Sequence, residues 1–296
     1  MIMSDFLTTR EVAAMLRVKE RKVYDLVATG SLPVRRVTGK LLFPREEIES
    51  WLGARSAEEA PAHKVNGTEA VRPMVVAGGH DLLLEWALRE SRSGIAAFLD
   101  GALDGLTRAA AGECAVAGLH IPEGNGWNVA SVTERFASEP WVLIEWARRS
   151  RGLVMRPGLS RQPRTLGEAK GLRFLARQPE AGSELIFDQL LSREGLKRED
   201  FIFAGVERSE SDLVLGLVAN RADIGLGLEA AARQFALAFV PLVEERFDLL
   251  IWRKAYFDPP FQKFLKFCGS KAFRAKAQDL GGYDISAFGA VHFNGN

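Results

Sequence analysis

Cysteine is scarce: only Cys114 and Cys268 occur in 296 residues, and one possible pair in a chain this long is neither a disulfide scaffold nor a sign of an oxidising compartment. Long apolar runs are missing too. Charge or glycine interrupts every hydrophobic stretch before the ~18 residues a membrane span needs. The start MIMSDFLTTR also lacks the basic segment followed by an apolar one that marks a secretory leader. A cytoplasmic protein without a membrane partner is expected. No Cys-x-x-Cys, His-Glu-x-x-His or P-loop pattern is present, so structural zinc, metalloprotease and nucleotide-hydrolase chemistry have no positive support and no cofactor is expected. Nor is there a strong net charge, with 39 Lys and Arg against 38 Asp and Glu.

What is present is an ordinary globular composition, 47% hydrophobic and 26% charged, in a chain long enough for one large or two ordinary domains. Its charge is unevenly divided. Residues 1–55 hold ten basic and seven acidic side chains, a net +3, and the remainder nets −2. A basic front is a mild pointer to a nucleic-acid-binding module.

The front segment reads as helix, turn, helix, hairpin, helix. Thr8 with Glu11 three residues on is a capping box that starts a helix through Leu16, with Val12, Ala13, Met15 and Leu16 as its apolar face. The period resumes over residues 19–28 with Val23, Leu26 and Val27 inward. Gly30 and Pro33 end that helix. Residues 34–43 read as a hairpin turning at Thr38-Gly39-Lys40, and Pro44 opens a last helix whose buried stripe is Ile48, Trp51 and Leu52.

This order, with Leu7-Thr-Thr-Arg-Glu-Val-Ala-Ala-Met-Leu16, Val23-Tyr24, Gly30-Ser-Leu-Pro33 and Pro44-Arg-Glu-Glu-Ile48 before Trp51-Leu52, resembles the winged helix-turn-helix of excisionases and MerR-type regulators. The resemblance implies duplex DNA as partner. The second helix would enter the major groove presenting Lys19, Arg21, Lys22 and Tyr24, while Arg35, Arg36 and Lys40 on the wing would meet phosphates or the minor groove. Tyr24 has a competing reading as a packed or half-buried aromatic.

Residues 54–73 contain almost no large apolar side chain and read as a linker between domains 1–53 and 74–296. After it, apolar β-type runs alternate with helical patterns, twice at comparable spacing. The first copy comprises strand-like residues 74–77, 95–99 and 114–121 around a helix that begins within 79–82, with His80 in its first turn, and runs to about 89, and a helix at about 102–111. The second comprises 172–176, 201–205 and 222–228 around helices at 183–192 and 212–220. Each is a βαβαβ unit. Strand-like pairs at 141–146 with 152–155, and at 239–243 with 248–252, serve as crossings between two lobes.

Ligands in such sheets bind beyond the strand C-termini, where glycine-rich turns lead into helix N-termini. Those turns are Ala77-Gly78-Gly79-His80-Asp81 and Arg177-Gln178-Pro179-Glu180-Ala181-Gly182-Ser183. Candidate ligand contacts are Gly78, Gly79, His80, Asp100, Gly101, His120, Asn128, Arg177, Gln178, Gly182 and Ser183. The rival readings are capping or packing for His80 and an N-cap for Ser183. The loop at 122–126 is a possible lid or an ordinary turn, and His292 is read as packing.

These marks, with Gly101-Ala-Leu-Asp-Gly-Leu106, Ala117-Gly-Leu-His120 and Ala222-Asp-Ile-Gly-Leu-Gly-Leu-Glu-Ala-Ala-Ala232, resemble the type-2 periplasmic-binding-protein-like domain that occurs fused to helix-turn-helix modules. The resemblance implies an α/β architecture with a small winged helix-turn-helix and a two-lobed sensor. Its effector would be a small anionic molecule, with oxyanions such as molybdate or tungstate as one class. Gly79, Ala102 and Glu184 depart from the family pattern, removing two hydroxyls and a cation, and Glu184 would favour a cationic group. The expected protein is a ligand-responsive transcriptional regulator, not an enzyme, acting as a homodimer. Two alternatives stand beside it: a DNA-architectural protein whose large domain mediates assembly, and an enzyme drawing on Cys114, His80 and His120.

Overall fold

The computed structural model describes residues 6–15, 20, 23, 24, 27, 32–37, 40–45, 47, 48, 72–124 and 126–296. The chain divides into two compact units, residues 1–69 and 70–296. Lys19, Arg21, Lys22 and the linker up to residue 71 lie outside the described residues.

In the smaller unit, β1 (Phe6–Leu7) leads into α1 (Thr9–Met15), followed by β2 (Arg35–Val37) and β3 (Lys40–Pro44). The capping box forms as expected. The Thr8 N–H donates to Glu11 Oε2 at 2.8 Å, and the Glu11 N–H donates to Thr8 Oγ1 at 3.3 Å. Two helix-terminal donors are thereby satisfied, and the backbone hydrogen bond from Thr8 lowers the Glu11 carboxyl pKa. The hairpin pairs Arg35 with Leu42 and Val37 with Lys40. β1 adds a third strand, with Leu7 opposite Phe43, which the sequence pattern did not reveal because two residues are too few to show a period. Leu7, Val12, Ala13, Val23, Leu32, Phe43 and Ile48 form the core. Two expectations change here. Met15 is exposed rather than core, and Pro44 is the last residue of β3 rather than the first of a helix, with helical backbone at Arg45.

The larger unit is built on one ten-stranded sheet flanked by helices. Its first half contains β4 (Val75–Gly78), α2 (Leu82–Glu90), β5 (Ala96–Phe98), α3 (Ala102–Ala111) and β6 (Val116–Leu119). A small hairpin, β7 (Pro122–Glu123) with β8 (Gly126–Trp127), then precedes α4 (Val129–Phe136) and β9 (Trp141–Met155). The second half contains β10 (Arg173–Arg177), α5 (Gly182–Glu194), β11 (Ile202–Glu207), α6 (Glu210–Val218), β12 (Ile224–Leu228), α7 (Glu229–Gln234) and β13 (Ala238–Trp252). A tail of α8 (Pro259–Cys268), α9 (Lys271–Leu280), β14 (Tyr283–Asp284) and β15 (Val291–Asn294) completes the unit.

Both βαβαβ repeats are present. β4 is flanked in parallel by β5 and β6, and β10 by β11 and β12. In β4, β6, β10 and β12 apolar residues are buried on both faces, which explains their near-continuous hydrophobic runs, whereas β5 and β11 are largely exposed edge strands. The crossings differ from expectation. Each is a single 15-residue strand rather than two short ones, and β9 and β13 pair antiparallel from Trp141 opposite Trp252 to Met155 opposite Ala238. The run Arg148-Arg149-Ser150-Arg151 interrupts the apolar pattern and looks like a loop. Arg149 and Arg151 nevertheless stay in the strand, fully buried, because β13 and neighbouring turns supply carboxylates for them. The sheet therefore runs unbroken through both lobes, ordered β5-β4-β6-β13-β9 on one side and β11-β10-β12-β9 on the other.

The tail packs on the first lobe, where Phe264 stacks on the Trp146 ring at 5.7 Å and Phe273 meets its edge at 5.3 Å. Arg72 lies over the rings of Trp141 and Trp252 at 4.7 and 4.4 Å, so the described part of this unit begins packing at residue 72.

Candidate functional site

The segments after β5 and β6 meet the turn after β10 across the lobe junction, and the turn after β4 lies behind them, with Gly78 O accepting from Gly101 N and Gly79 against the His120 ring. Gly78 sits at φ +105°, and a Cβ there would collide with the Gly118 backbone; only glycine fits. Gly101, at φ +129°, precedes α3, and a Cβ on it would come within 2.6 Å of the Glu180 carbonyl oxygen on the other lobe. Gly182 opens α5, and its Cβ would meet the His120 carbonyl at 2.5 Å and the imidazole at 2.8 Å. Glycines on both lobes thus permit a close approach of backbone to backbone. The His120 ring fills the space between Gly79 and Gly182 and stacks on Phe247 at 5.6 Å.

The lobes meet through their own polar groups. Leu103, in the first turn of α3, donates its N–H to Glu180 O at 3.0 Å. Gln178 Nε2 donates to Asp100 O at 3.1 Å, and Arg208 forms a salt bridge with Asp100. A helix N-terminus left without partners would attract an anion; here a backbone carbonyl takes that place.

Beneath this seam lies a buried chain of alternating charge: Asp81, Arg149, Glu245, Arg151, Glu210, Arg177. Arg149 reaches Asp81 at 2.9 Å and Glu245 at 2.5 Å. Arg151 lies 3.0 Å from Glu245 and 2.9 Å from Glu210, and Arg177 lies 3.0 Å from Glu210. Such a chain is tolerable in a protein interior only because each charge has a partner at both contact and hydrogen-bond distance. Burial pushes the Glu210 carboxyl up, but Arg151 and Arg177 outweigh it and hold it at about 2. Burial likewise opposes ionisation of Glu245, which Arg149, Arg151 and His120 keep well below the usual range. His120 Nδ1 lies 3.0 Å from Glu245 Oε2, and burial holds the imidazole pKa below its ordinary value. At the far end Tyr283 donates to Asp81 Oδ2 at 2.6 Å; burial, with Asp81 beside it, raises the phenol well above its normal pKa.

The structure brings together Gly78, Gly79, Asp100, Gly101, His120, Arg177, Gln178, Gly182 and Ser183. The expected roles of some of these, and the placement of Asn128 and His80, are corrected. Asn128 is fully buried and braces backbone instead of lining the junction: its Oδ1 accepts from Ile121 N at 2.6 Å and its Nδ2 donates to Asp248 at 2.8 Å. Ser183 is not an N-cap, since Ala181 holds that position; the Ser183 Oγ is buried without a partner. His80 lies ahead of the Asp81 cap of α2, with Nε2 3.2 Å from Glu85 and Nδ1 unpartnered. Arg177 is not free to meet an anion, being spent on Glu210 and on the Glu207 and Arg208 carbonyls. Glu184 is no cation acceptor either, because its oxygens take the Arg177 N–H at 2.7 Å and Arg198 at 2.8 Å. Cys114 begins the run whose other end is His120, roughly 20 Å away at ~3.3 Å per strand residue. Its thiol is buried and pushed up to about 11 by burial, so the thiol–imidazole set does not assemble.

Asp81, Arg149, Arg151, Glu210 and Glu245 were not singled out from the sequence. The available signal was charge at alternate positions inside strand-like runs, Arg149 with Arg151 and Glu245 inside residues 238–252, since an inward charge in a strand needs a buried partner.

On the smaller unit, Tyr24 is 51% exposed, so it is not a core residue, while the half-buried reading fits. Arg35 is exposed and pairs with Glu47 at 2.6 Å, tying the wing to the residues after it. Arg36 and Lys40 occupy wing strand positions opposite Leu41 and Val37.

Comparison with known proteins agrees with this architecture. A family model described as a PBP superfamily domain matches residues 85–269, and one described as a helix-turn-helix domain matches residues 6–56. The chain is 24% identical to YvgK of Bacillus subtilis, over 96% of each protein. It is 32% identical over 101 residues to a Clostridium pasteurianum protein from the 5′ region of a ferredoxin gene, covering 34% of this chain and 83% of that one. Among solved structures it resembles a phosphate ABC transporter substrate-binding protein of Clostridium perfringens, with a TM-score of 0.52 at 11% identity over 71% of this chain and 98% of that one. By its sequence match and its two-lobed sheet, the chain belongs to the PBP superfamily and carries a helix-turn-helix domain at its front.

Proposed function

We propose that the protein is a ligand-responsive transcriptional regulator of the cytoplasm. The helix-turn-helix unit binds duplex DNA, and the lobe junction of the larger unit takes a small anionic molecule. The observation that carries the ligand reading is the Ser183 hydroxyl, a donor in the first turn of α5 that is buried without a partner. An unsatisfied buried polar atom costs about 1–3 kcal/mol, and a ligand donor or acceptor arriving there recovers it.

The same geometry says how a ligand would couple to shape. The Glu180 carbonyl occupies the α3 N-terminus as an acceptor, so an oxyanion displaces it, takes the Leu103 N–H and the Ser183 hydroxyl, and changes the distance between lobes. The buried guanidiniums are each matched by carboxylates, so the anion is met by backbone and hydroxyl donors rather than by a spare cation. Phosphate, the ligand of the structurally similar Clostridium perfringens protein, is one probe of this class, and molybdate and tungstate are others. Lobe motion reaches DNA by altering the spacing of two helix-turn-helix modules in a homodimer, which read paired half-sites.

The test is thermal unfolding of the full chain with phosphate, molybdate, tungstate and a set of small carboxylic acids. At a hundredfold excess over Kd, binding to the folded state adds about 2.7 kcal/mol, a rise of several degrees. The expected result is such a rise with one of these anions, lost in Ser183→Ala. No rise with any of them, or a rise that Ser183→Ala keeps, overturns the assignment.

A further inference from the structure

We propose that Glu145, Asp248 and His292 form a binding site for a divalent transition-metal cation of the zinc class, apart from the lobe junction and whatever anion binds there. Three neighbouring strands contribute one residue each: Glu145 from β9, Asp248 from β13 and His292 from β15. One carboxylate oxygen from each acid and one ring nitrogen of His292 lie within 4.8 Å of one another, the one such group among the described residues. Ligand atoms around a tetrahedral ion with bonds of ~2.0–2.2 Å stand roughly 3.4 Å apart, so small side-chain rotations close this set on an ion. No short motif announces the site, because Glu145 and His292 are 147 residues apart in the chain.

Two breaks in strand register bring the residues together. Asp248 stands opposite Glu145 after a shift that leaves Trp146 as the extra residue of β9. A second shift, between Val291 and Phe293, leaves His292 as the extra residue of β15. Bulges of this kind re-aim side chains and recur beside functional sites. His292, expected from the sequence to pack, instead turns Nε2 to within 2.8 Å of Glu145 Oε2. Both carboxylates are fully buried, whereas the His292 side chain is 24% exposed and gives the cluster a way in from solvent.

The carboxylates keep acceptor capacity for an ion. Glu145 accepts from Arg148 on Oε1 at 3.3 Å and meets His292 on Oε2. Asp248 accepts from Arg246 on both oxygens at 3.0 Å, and from Asn128 on Oδ2 at 2.8 Å. A carboxylate offers about four acceptor sites, and Glu145 Oε2 and Asp248 Oδ1 each carry a single one of these contacts. Arg246 and Asn128 hold Asp248 from behind, as metal-ligating carboxylates are held. Arg148 also reaches Glu244 at 3.3 Å, and its side chain is 47% exposed, so it can leave Glu145 without losing a partner. With Arg148 on Glu244, two buried carboxylates face the guanidinium of Arg246, and the negative charge left over is one a cation satisfies. An imidazole beside two carboxylates suits zinc and its first-row neighbours, whereas magnesium and calcium take oxygen ligands. Three protein ligands leave the fourth position of a tetrahedral ion to water.

Isothermal titration of the chelator-treated full chain with zinc chloride, in a buffer free of phosphate, tests the site. Uptake of one zinc per chain is expected, with a rise in the thermal midpoint of the larger unit, and magnesium chloride at the same concentration is expected to do neither. His292→Gln keeps a hydrogen-bonding group beside Glu145 and removes the imidazole. Asp248→Asn keeps the shape of that side chain and removes its charge. Each is expected to weaken zinc binding by about tenfold or more, and His292→Gln, at the exposed side of the cluster, to do so with its metal-free midpoint unchanged. No zinc uptake, zinc affinity in His292→Gln equal to that of the unaltered chain, or magnesium bound as tightly as zinc overturns the proposal. These readouts involve no anion, so they separate a wrong metal site from a wrong effector assignment.

Discussion

Replacing Glu210 by Gln tests whether the buried charge chain holds the lobes together. Its Oε1 accepts from Arg151 at 2.9 Å and Arg177 at 3.0 Å, and its Oε2 accepts the Leu228 N–H at 3.2 Å. The substitution keeps the shape and removes the charge, leaving two guanidiniums sharing one neutral amide oxygen. Breaking one partner of a buried pair costs about 3–5 kcal/mol. The carboxyl pKa gives an independent figure: a fall from 4.5 to about 2 corresponds to on the order of 3 kcal/mol of folded-state stabilisation. For a unit of this size roughly 2–4 °C accompany each kcal/mol, so a drop of about 10 °C is expected at pH 7.

The pH dependence has a definite sign. The folded-state pKa lies below the unfolded one, so the stabilisation is complete above pH 4.5 and is lost as pH falls toward 2. The assay is urea unfolding followed by tryptophan fluorescence, which reports mainly the larger unit because five of the six tryptophans lie in it. Glu210→Gln should trail the unaltered protein by several kcal/mol at pH 7, and the gap should narrow as pH falls from 4.5 toward 2. A deficit under 1 kcal/mol at pH 7, or one that does not change with pH, refutes the charge chain as a source of stability.

Other outcomes follow from the same geometry. Gly182→Ala puts a methyl group against the His120 carbonyl and ring and should lower the midpoint of the larger unit by several degrees, measured calorimetrically; an unchanged midpoint would mean the lobes are not in close contact there. Arg208→Ala removes an exposed bridge to Asp100, so stability should change by no more than ~1 kcal/mol in urea titration, and a larger loss would contradict its solvent-screened position. Phe43→Ala empties the centre of the small core at a cost of about 3–5 kcal/mol, and should abolish duplex DNA binding in anisotropy while the larger unit's transition stays in place. Arg21→Ala combined with Arg36→Ala should weaken DNA binding and flatten its salt dependence by about one unit of slope for each phosphate no longer neutralised; unchanged affinity and slope would remove the basic face from the interface.

Local information was legible wherever a short pattern carried its own physics. The Thr8 and Glu11 capping box, the hairpin between residues 34 and 43, both βαβαβ repeats and the glycine turns at Gly78, Gly101 and Gly182 follow from capping, period and the steric freedom of glycine. The crossings were not legible as single strands, because Arg149 and Arg151 look like loop residues until Glu245 and Glu210 are seen beside them. Asn128 looked like a cleft residue by its place after a glycine-rich turn, yet the structure spends its amide on Ile121 and Asp248. Arg177 and Glu184 were placed correctly on the chain and misjudged in role, since the partners that neutralise them are Glu210 and Arg198.

By itself, then, the order of residues determined the two modules, the doubled α/β plan and the glycine turns at the strand ends, all of them set by short-range patterns in the chain. The tertiary structure decided which charges are spent on one another, which lobe edges touch and which strand edge stays open. Those outcomes depend on pairings across 59–125 residues, such as Arg151 with Glu210 and His120 with Glu245, where burial raises the cost of every unpartnered polar group and so selects its partner.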